Sequence, residues 1–95
     1  MTTENIKSEL IILISTLFKE KGFDTELIEY SDLVNDVGMD SITFISMVVE
    51  IESHFNMEVP DDFLLMEYFK FLDDVVIIIA DVISSKNKKG GSEDV

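Results

Sequence analysis

The residues best placed to do chemistry are Asp36-Val37-Gly38-Met39-Asp40-Ser41-Ile42. Gly38 gives the backbone a point where positive φ carries no steric cost. Asp40 and Ser41 are both helix-starting residues, because their side-chain oxygens can accept from the free N–H groups of a first turn. From Ile42 onward the apolar residues recur at helical spacing. A serine hydroxyl is therefore set at the mouth of a helix, on a tight turn, beside a carboxylate. The same helix end is a favourable seat for a phosphate. That combination suits a serine modified with a phosphate-linked group.

Gly38-Met39-Asp40-Ser41-Ile42 resembles the G-x-D-S-[LI] attachment motif of acyl and peptidyl carrier proteins. Further on, Glu52-Ser53-His54-Phe55 ends a helical run, and Glu58-Val59-Pro60-Asp61 is similar to an [IV]-P-D sequence common in that family. The resemblance covers residues from about 4 to 84. It implies that Ser41 carries a 4′-phosphopantetheine arm, placed by a phosphopantetheinyl transferase from coenzyme A, whose thiol holds an acyl or aminoacyl thioester. Asp40 and the second helix would engage that enzyme and then the loading and condensing enzymes. No catalytic residue is implied.

The positions that would meet partners are Asp40, Met39, Ile42, Ile45, Val49 and Glu52, with Gly38 shaping the turn. Family members of fatty acid synthesis have acidic residues just after the serine, where this chain has Thr43, Phe44 and Ser46. This argues for a stand-alone carrier in a specialised polyketide or nonribosomal peptide type pathway. Two alternatives are a carrier of fatty acid synthesis and an unmodified acidic adaptor that binds a basic partner through Ile42, Ile45 and Val49.

Stepping along the chain from the amino end, Thr2 or Thr3 can cap a first helix. In that helix Ile6, Leu10, Leu13 and Leu17 share a face widened by Ile11, Ile12, Ile14 and Phe18. Gly22 should end it, after Lys19 and Lys21. Residues 23–40 read as a long connection pinned by Phe23, Leu27, Ile28, Tyr30, Leu33 and Val37; a loop of this length in a compact domain is usually functional.

The second helix is expected over Ser41 to Phe55 and has two apolar stripes. Phe44, Met47, Val48, Ile51 and Phe55 form a core face. Ile42, Ile45 and Val49, continued by Glu52, form a second line suited to docking. Asn56 and Pro60 end this region. Asp61 or Asp62 can cap a short third helix, and a fourth is expected from Asp73 or Asp74, on the spacing of Val75, Val76, Ile79, Val82 and Ile83. The expected fold is all-α, a bundle of three main helices plus one short one. A carrier domain would span 1–84 and a polar, disordered tail 85–95.

The 95 residues argue for one domain, and a hydrophobic content of 46% rules out a disordered chain. With no cysteine, the chain has no disulfide and no thiol nucleophile of its own. Any thioester sulfur must come from a prosthetic group. The net charge is −13; all seven cations are lysines, and none lies between Gly22 and Phe69, where there are twelve acidic residues. Such a field repels nucleic acid and attracts basic protein surfaces.

The apolar runs are too short to span a bilayer and no secretion signal is evident, so a cytoplasmic monomer is expected. His54, the one histidine, lies thirteen residues or about 20 Å of helix from Ser41, too far for a triad. A calcium loop begun at Asp36 fails, with Ser41 where glycine is needed and Met47 where a glutamate belongs. No metal site is expected.

Overall fold

The computed structural model describes residues 2–26 and 28–92, with side chains described as far as Ser85. Leu27, residues 93–95 and the side chains of 86–92 lie outside the described residues, so of the polar tail expected over 85–95 only Ser85 and the backbone as far as Ser92, continuous with the last helix, are described. Three long helices form the fold: α1 (Thr3–Glu20), α2 (Ser41–Phe55) and α3 (Leu72–Ser92). Among the described residues there is no strand, and no helix is long and apolar enough to cross a membrane.

Thr2 caps α1, its hydroxyl accepting the Asn5 N–H at 3.2 Å. The helix ends at Gly22, whose φ of 87° is open to glycine and strained for other residues. Gly22 N–H donates to the Lys19 carbonyl at 3.0 Å and Phe23 N–H to that of Phe18 at 2.9 Å. The two phenylalanine rings then meet, with centroids 5.4 Å apart. This pair of bonds and its apolar contact form a Schellman motif, and it turns the chain back over the core.

α1 buries Ile6, Leu10, Ile14, Leu17 and Phe18; α2 buries Phe44, Met47, Val48 and Ile51; α3 brings Leu72, Val75, Val76, Ile78 and Ile79. Phe69 sits among them, edge-on to Phe44 at 5.1 Å. α1 and α2 run antiparallel: Glu9 meets His54, while Lys21 at the other end of α1 acts on the Asp40 carboxyl.

The β-branched run Val75–Ile79 is helical, as its acidic first turn of Asp73 and Asp74 favours. Ile77 alone in that run is exposed. Lys7 bridges Glu29 and Asp73, each at 3.0 Å, and so ties the long connection and the start of α3 to α1.

Two segments differ in detail from the expectation. The long connection contains a π-helical turn, Leu33–Val37, which periodicity does not reveal. The short third helix is two 3-10 turns, Asp61–Phe63 and Met66–Phe69, and neither has a side-chain cap. Leu65 interrupts them in an extended conformation, its N–H donating to Phe63 at 2.8 Å.

Candidate functional site

The turn that leads to Ser41 is built from its first residues onward by side-chain capping. Asp32 Oδ1 accepts the Val34 and Asn35 N–H groups, both at 2.9 Å. Asp36 Oδ2 accepts the Asp32 N–H in return at 3.2 Å. The Asn35 N–H, with the Asn35 amide and Val34 N–H behind it, holds the Asp32 carboxyl below the usual aspartate range. Leu33, fully buried, donates its N–H to the Lys70 carbonyl, 2.6 Å away on the strand of chain before α3. Its own carbonyl accepts from Gly38 at 3.1 Å and Met39 at 2.8 Å. Gly38 closes the turn at a φ of 100°.

Asp40 follows in extended backbone and is the N-cap of α2. Its Oδ1 accepts the Thr43 N–H at 2.8 Å. This bond, with a second from the Thr43 side chain and a smaller pull from Lys21, lowers the Asp40 pKa. Among the described residues Thr43 is the one buried polar side chain of the core, only 3% exposed. Ser41 is thus the first helical residue and not the cap, and it is exposed.

Among the described residues, no hydrogen bond engages the Ser41 or Ile42 N–H. A serine hydroxyl in solvent, two free N–H groups at the positive end of a fifteen-residue helix, and a glycine turn behind them fit a phosphodiester on Ser41.

The remaining expected site residues divide. Ile42, Ile45 and Val49 are 71%, 60% and 56% exposed, one apolar line running down α2 from Ser41. Glu52 lies at its end, but its carboxylate accepts the Val59 N–H at 2.9 Å, so it also holds the turn before Pro60. Met39 corrects the expectation. It is 3% exposed, drawn inward by the bond from its N–H to Leu33, and offers no side-chain surface to a partner. His54 stands 2.8 Å from Glu9 and far from Ser41.

The sequence reading missed Thr43 and Asp32 as shapers of the site, and it took Leu33 as an apolar pin of the connection without its bond to Lys70. For Thr43 and Asp32 the available signal was a capping carboxylate three positions before the N–H group that it accepts. For the bond from Leu33 to Lys70 there was none. Among the described residues no group of three or more His, Asp or Glu side chains is placed to hold a metal ion.

Comparison with known proteins agrees with this geometry. Residues 13–76 match the family model described as a phosphopantetheine attachment site. The chain is 31% identical over 74 residues to an acyl carrier protein homolog of Mycoplasmopsis pulmonis (strain UAB CTIP), covering 78% of this chain and 90% of the relative. It is 33% identical over 58 residues to an acyl carrier protein of Guillardia theta, covering 59% of this chain and 72% of the relative. No solved structure matches. The chain belongs to the family of acyl carrier proteins, which hold 4′-phosphopantetheine as a covalently attached cofactor.

Proposed function

We propose that Ser41 is the attachment residue and that the protein shuttles thioester-bound acyl or aminoacyl intermediates between partner enzymes. The observation that carries this reading is the exposed Ser41 hydroxyl at the start of α2, with Asp40 capping the helix in its place. When bound, the prosthetic group supplies the thiol that this cysteine-free chain lacks. The chain's own residues do the positioning. Ser41 Oγ, losing its proton, forms the ester bond to the pantetheine phosphate as the phosphoanhydride of coenzyme A breaks and adenosine 3′,5′-bisphosphate leaves, and Asp40 keeps the helix start rigid. Tethering then raises the effective concentration of cargo at each active site.

Ile42, Ile45 and Val49 form the surface that a phosphopantetheinyl transferase and the acyl-handling enzymes would grip, with Asp40 and Glu52 flanking it. The role is carriage, without catalysis by the chain itself.

The pathway we propose is a specialised one of polyketide or nonribosomal peptide type. Its support is the apolar, uncharged character of the exposed line on α2. Fatty acid synthesis stands as the second reading, for a specific reason. Thr43 and Phe44, which occupy positions acidic in carriers of that pathway, are buried here and present nothing to a partner. Only Ser46 of the three remains to argue against it.

The test is incubation with coenzyme A and a broad-specificity phosphopantetheinyl transferase, read by intact mass. One phosphopantetheine should be added to the wild type and none to Ser41→Ala. A wild type left unmodified by several such transferases would favour the adaptor reading. Loading the product with a malonyl or an aminoacyl donor through the corresponding loading enzymes separates the pathways.

A further inference from the structure

Residues of α1 and α2 line a groove of about 310 Å³ on one side of the bundle. Leu13 and Leu17 line its apolar inner side, and Glu9, Glu20 and Glu50 also line it. Ile12 is 67% exposed and gives the groove an unpartnered apolar lip. This surface is separate from the line Ile42, Ile45 and Val49. Nine residues of helix place His54, which lines the groove, on the opposite side of α2 from Ile45. Glu50 lies nine residues, or about 14 Å of helix, beyond Ser41.

We infer that this groove is a second docking site, and that its occupant is a cationic amphipathic helix of a partner protein. Such a helix would lay one or two apolar side chains on Ile12, Leu13 and Leu17 and set lysines or arginines against the carboxylates. The charge selects this occupant. A second copy of the chain would bring −13 against −13, and anionic lipid or nucleic acid would be repelled in the same way. Glu20 and Glu50 have no ion-pair partner among the described residues, whereas Glu9 is met by His54. Lys19 stands on the outer edge by helical spacing, one cation against three carboxylates. The groove is at the small end of the range of ligand pockets, about 300–1,000 Å³, which suits side-chain anchors better than a large ligand. Nothing in the inference depends on Ser41 or its modification.

The experiment uses the full chain and a fluorescent sixteen-residue helical peptide of lysine and leucine, followed by anisotropy at physiological salt, with amide shifts by NMR. Glu20→Gln/Glu50→Gln and Ile12→Ser should each weaken binding about tenfold, as loss of a central anchor or charge does. Asp61→Asn/Asp62→Asn and Ile77→Ser, equal changes on other exposed sites, should change it less than about twofold. The largest shifts should fall on Leu13, Thr16 and Leu17, and Ser41→Ala should bind as the wild type does. Equal weakening by the groove and control variants would overturn the inference in favour of a diffuse acidic field. Shifts centred on Ile42, Ile45 and Val49 would overturn it in favour of the exposed line of α2. Because Ser41→Ala is a binding control here, failure of this test and failure of the attachment assay are distinguishable.

Discussion

Asp40 Oδ1 accepts the Thr43 N–H at 2.8 Å, so the residue beside Ser41 caps α2 and leaves the serine hydroxyl uncommitted. A group that both caps and carries charge can have its two roles separated. Asp40→Asn keeps a capping oxygen, and Asn caps about as well as Asp. Its melting temperature should stay near that of the wild type while its rate of modification falls. Asp40→Ala should lose both, melting several degrees lower. Thermal melts paired with initial modification rates check this; an Asn variant that melts as low as Ala would show that the charge, not the oxygen, holds the helix.

The same carboxyl sets a pH response. Thr43 holds the Asp40 pKa down, as the Asn35 N–H does for Asp32. A lowered folded pKa contributes stability that is complete above the unfolded value of about 3.9 and is lost as pH falls through the folded value. Denaturant titrations below about pH 4 should therefore show Asp32→Asn/Asp40→Asn losing stability less steeply than the wild type. Parallel acid limbs would exclude these two bonds as the cause.

Removing the serine hydroxyl should be structurally mild. Ser41 is exposed and caps nothing, so Ser41→Ala should change stability by no more than about 0.5 kcal/mol while abolishing phosphopantetheinylation. Read from sequence, Ser41 and Asp40 were equal candidates for the cap; only the geometry assigns it to Asp40. Urea melts and intact mass on the same preparations test both halves.

The two stripes of α2 should part by mutation. Ile51 is fully buried, and Ile51→Ala should cost about 2–5 kcal/mol. Ile45 is largely exposed, so Ile45→Ala should cost far less and instead slow modification by the transferase. Equal losses of stability in urea melts would mean that the exposed line is part of the core after all.

What could be read from the chain was what repeats along it. The bounds of α2, its buried stripe and its exposed stripe follow from the spacing of Phe44, Met47, Ile51, Ile42 and Ile45. The helix start at Ser41 follows from Asp40, and the end of α1 from Gly22. The connection 23–40 has no period; its shape comes partly from local capping by Asp32 and Asp36 and partly from a bond that no local rule pairs. Leu33 meets Lys70 across 37 positions, and that contact fixes the carbonyl to which Met39 donates. Met39 looked like a surface residue because its burial is decided by that distant bond. Thr43 looked like a departure at a partner surface, whereas it is buried and bonded to Asp40. The stretch after Pro60 resembled one short helix because it is rich in apolar residues at near-helical spacing. The extended Leu65 breaks it into two turns.

Charge supplies the last prediction, in which one cause acts with opposite signs. Twelve acidic residues and no lysine or arginine lie between Gly22 and Phe69, and folding brings them closer than the expanded chain does. Added salt screens that repulsion, since the Debye length falls from about 30 Å at 0.01 M to about 8 Å at 0.15 M. Salt also weakens the bridges from Lys7 to Glu29 and Asp73, but those groups are partly solvated and such surface pairs contribute little. With a net charge of −13 the repulsion wins, and the melting temperature should rise with salt. The rate of modification by a transferase with a basic docking surface should fall over the same range, because screening removes the steering that brings the two together. A thermal melt and an initial rate measured across one salt series, at fixed magnesium for the enzyme, test the pair. A melt that rises while the rate stays flat would confine the acidic field to stability, leaving recognition to Asp40 and the line of Ile42, Ile45 and Val49. A melt that falls would mean that the Lys7 bridges outweigh the repulsion.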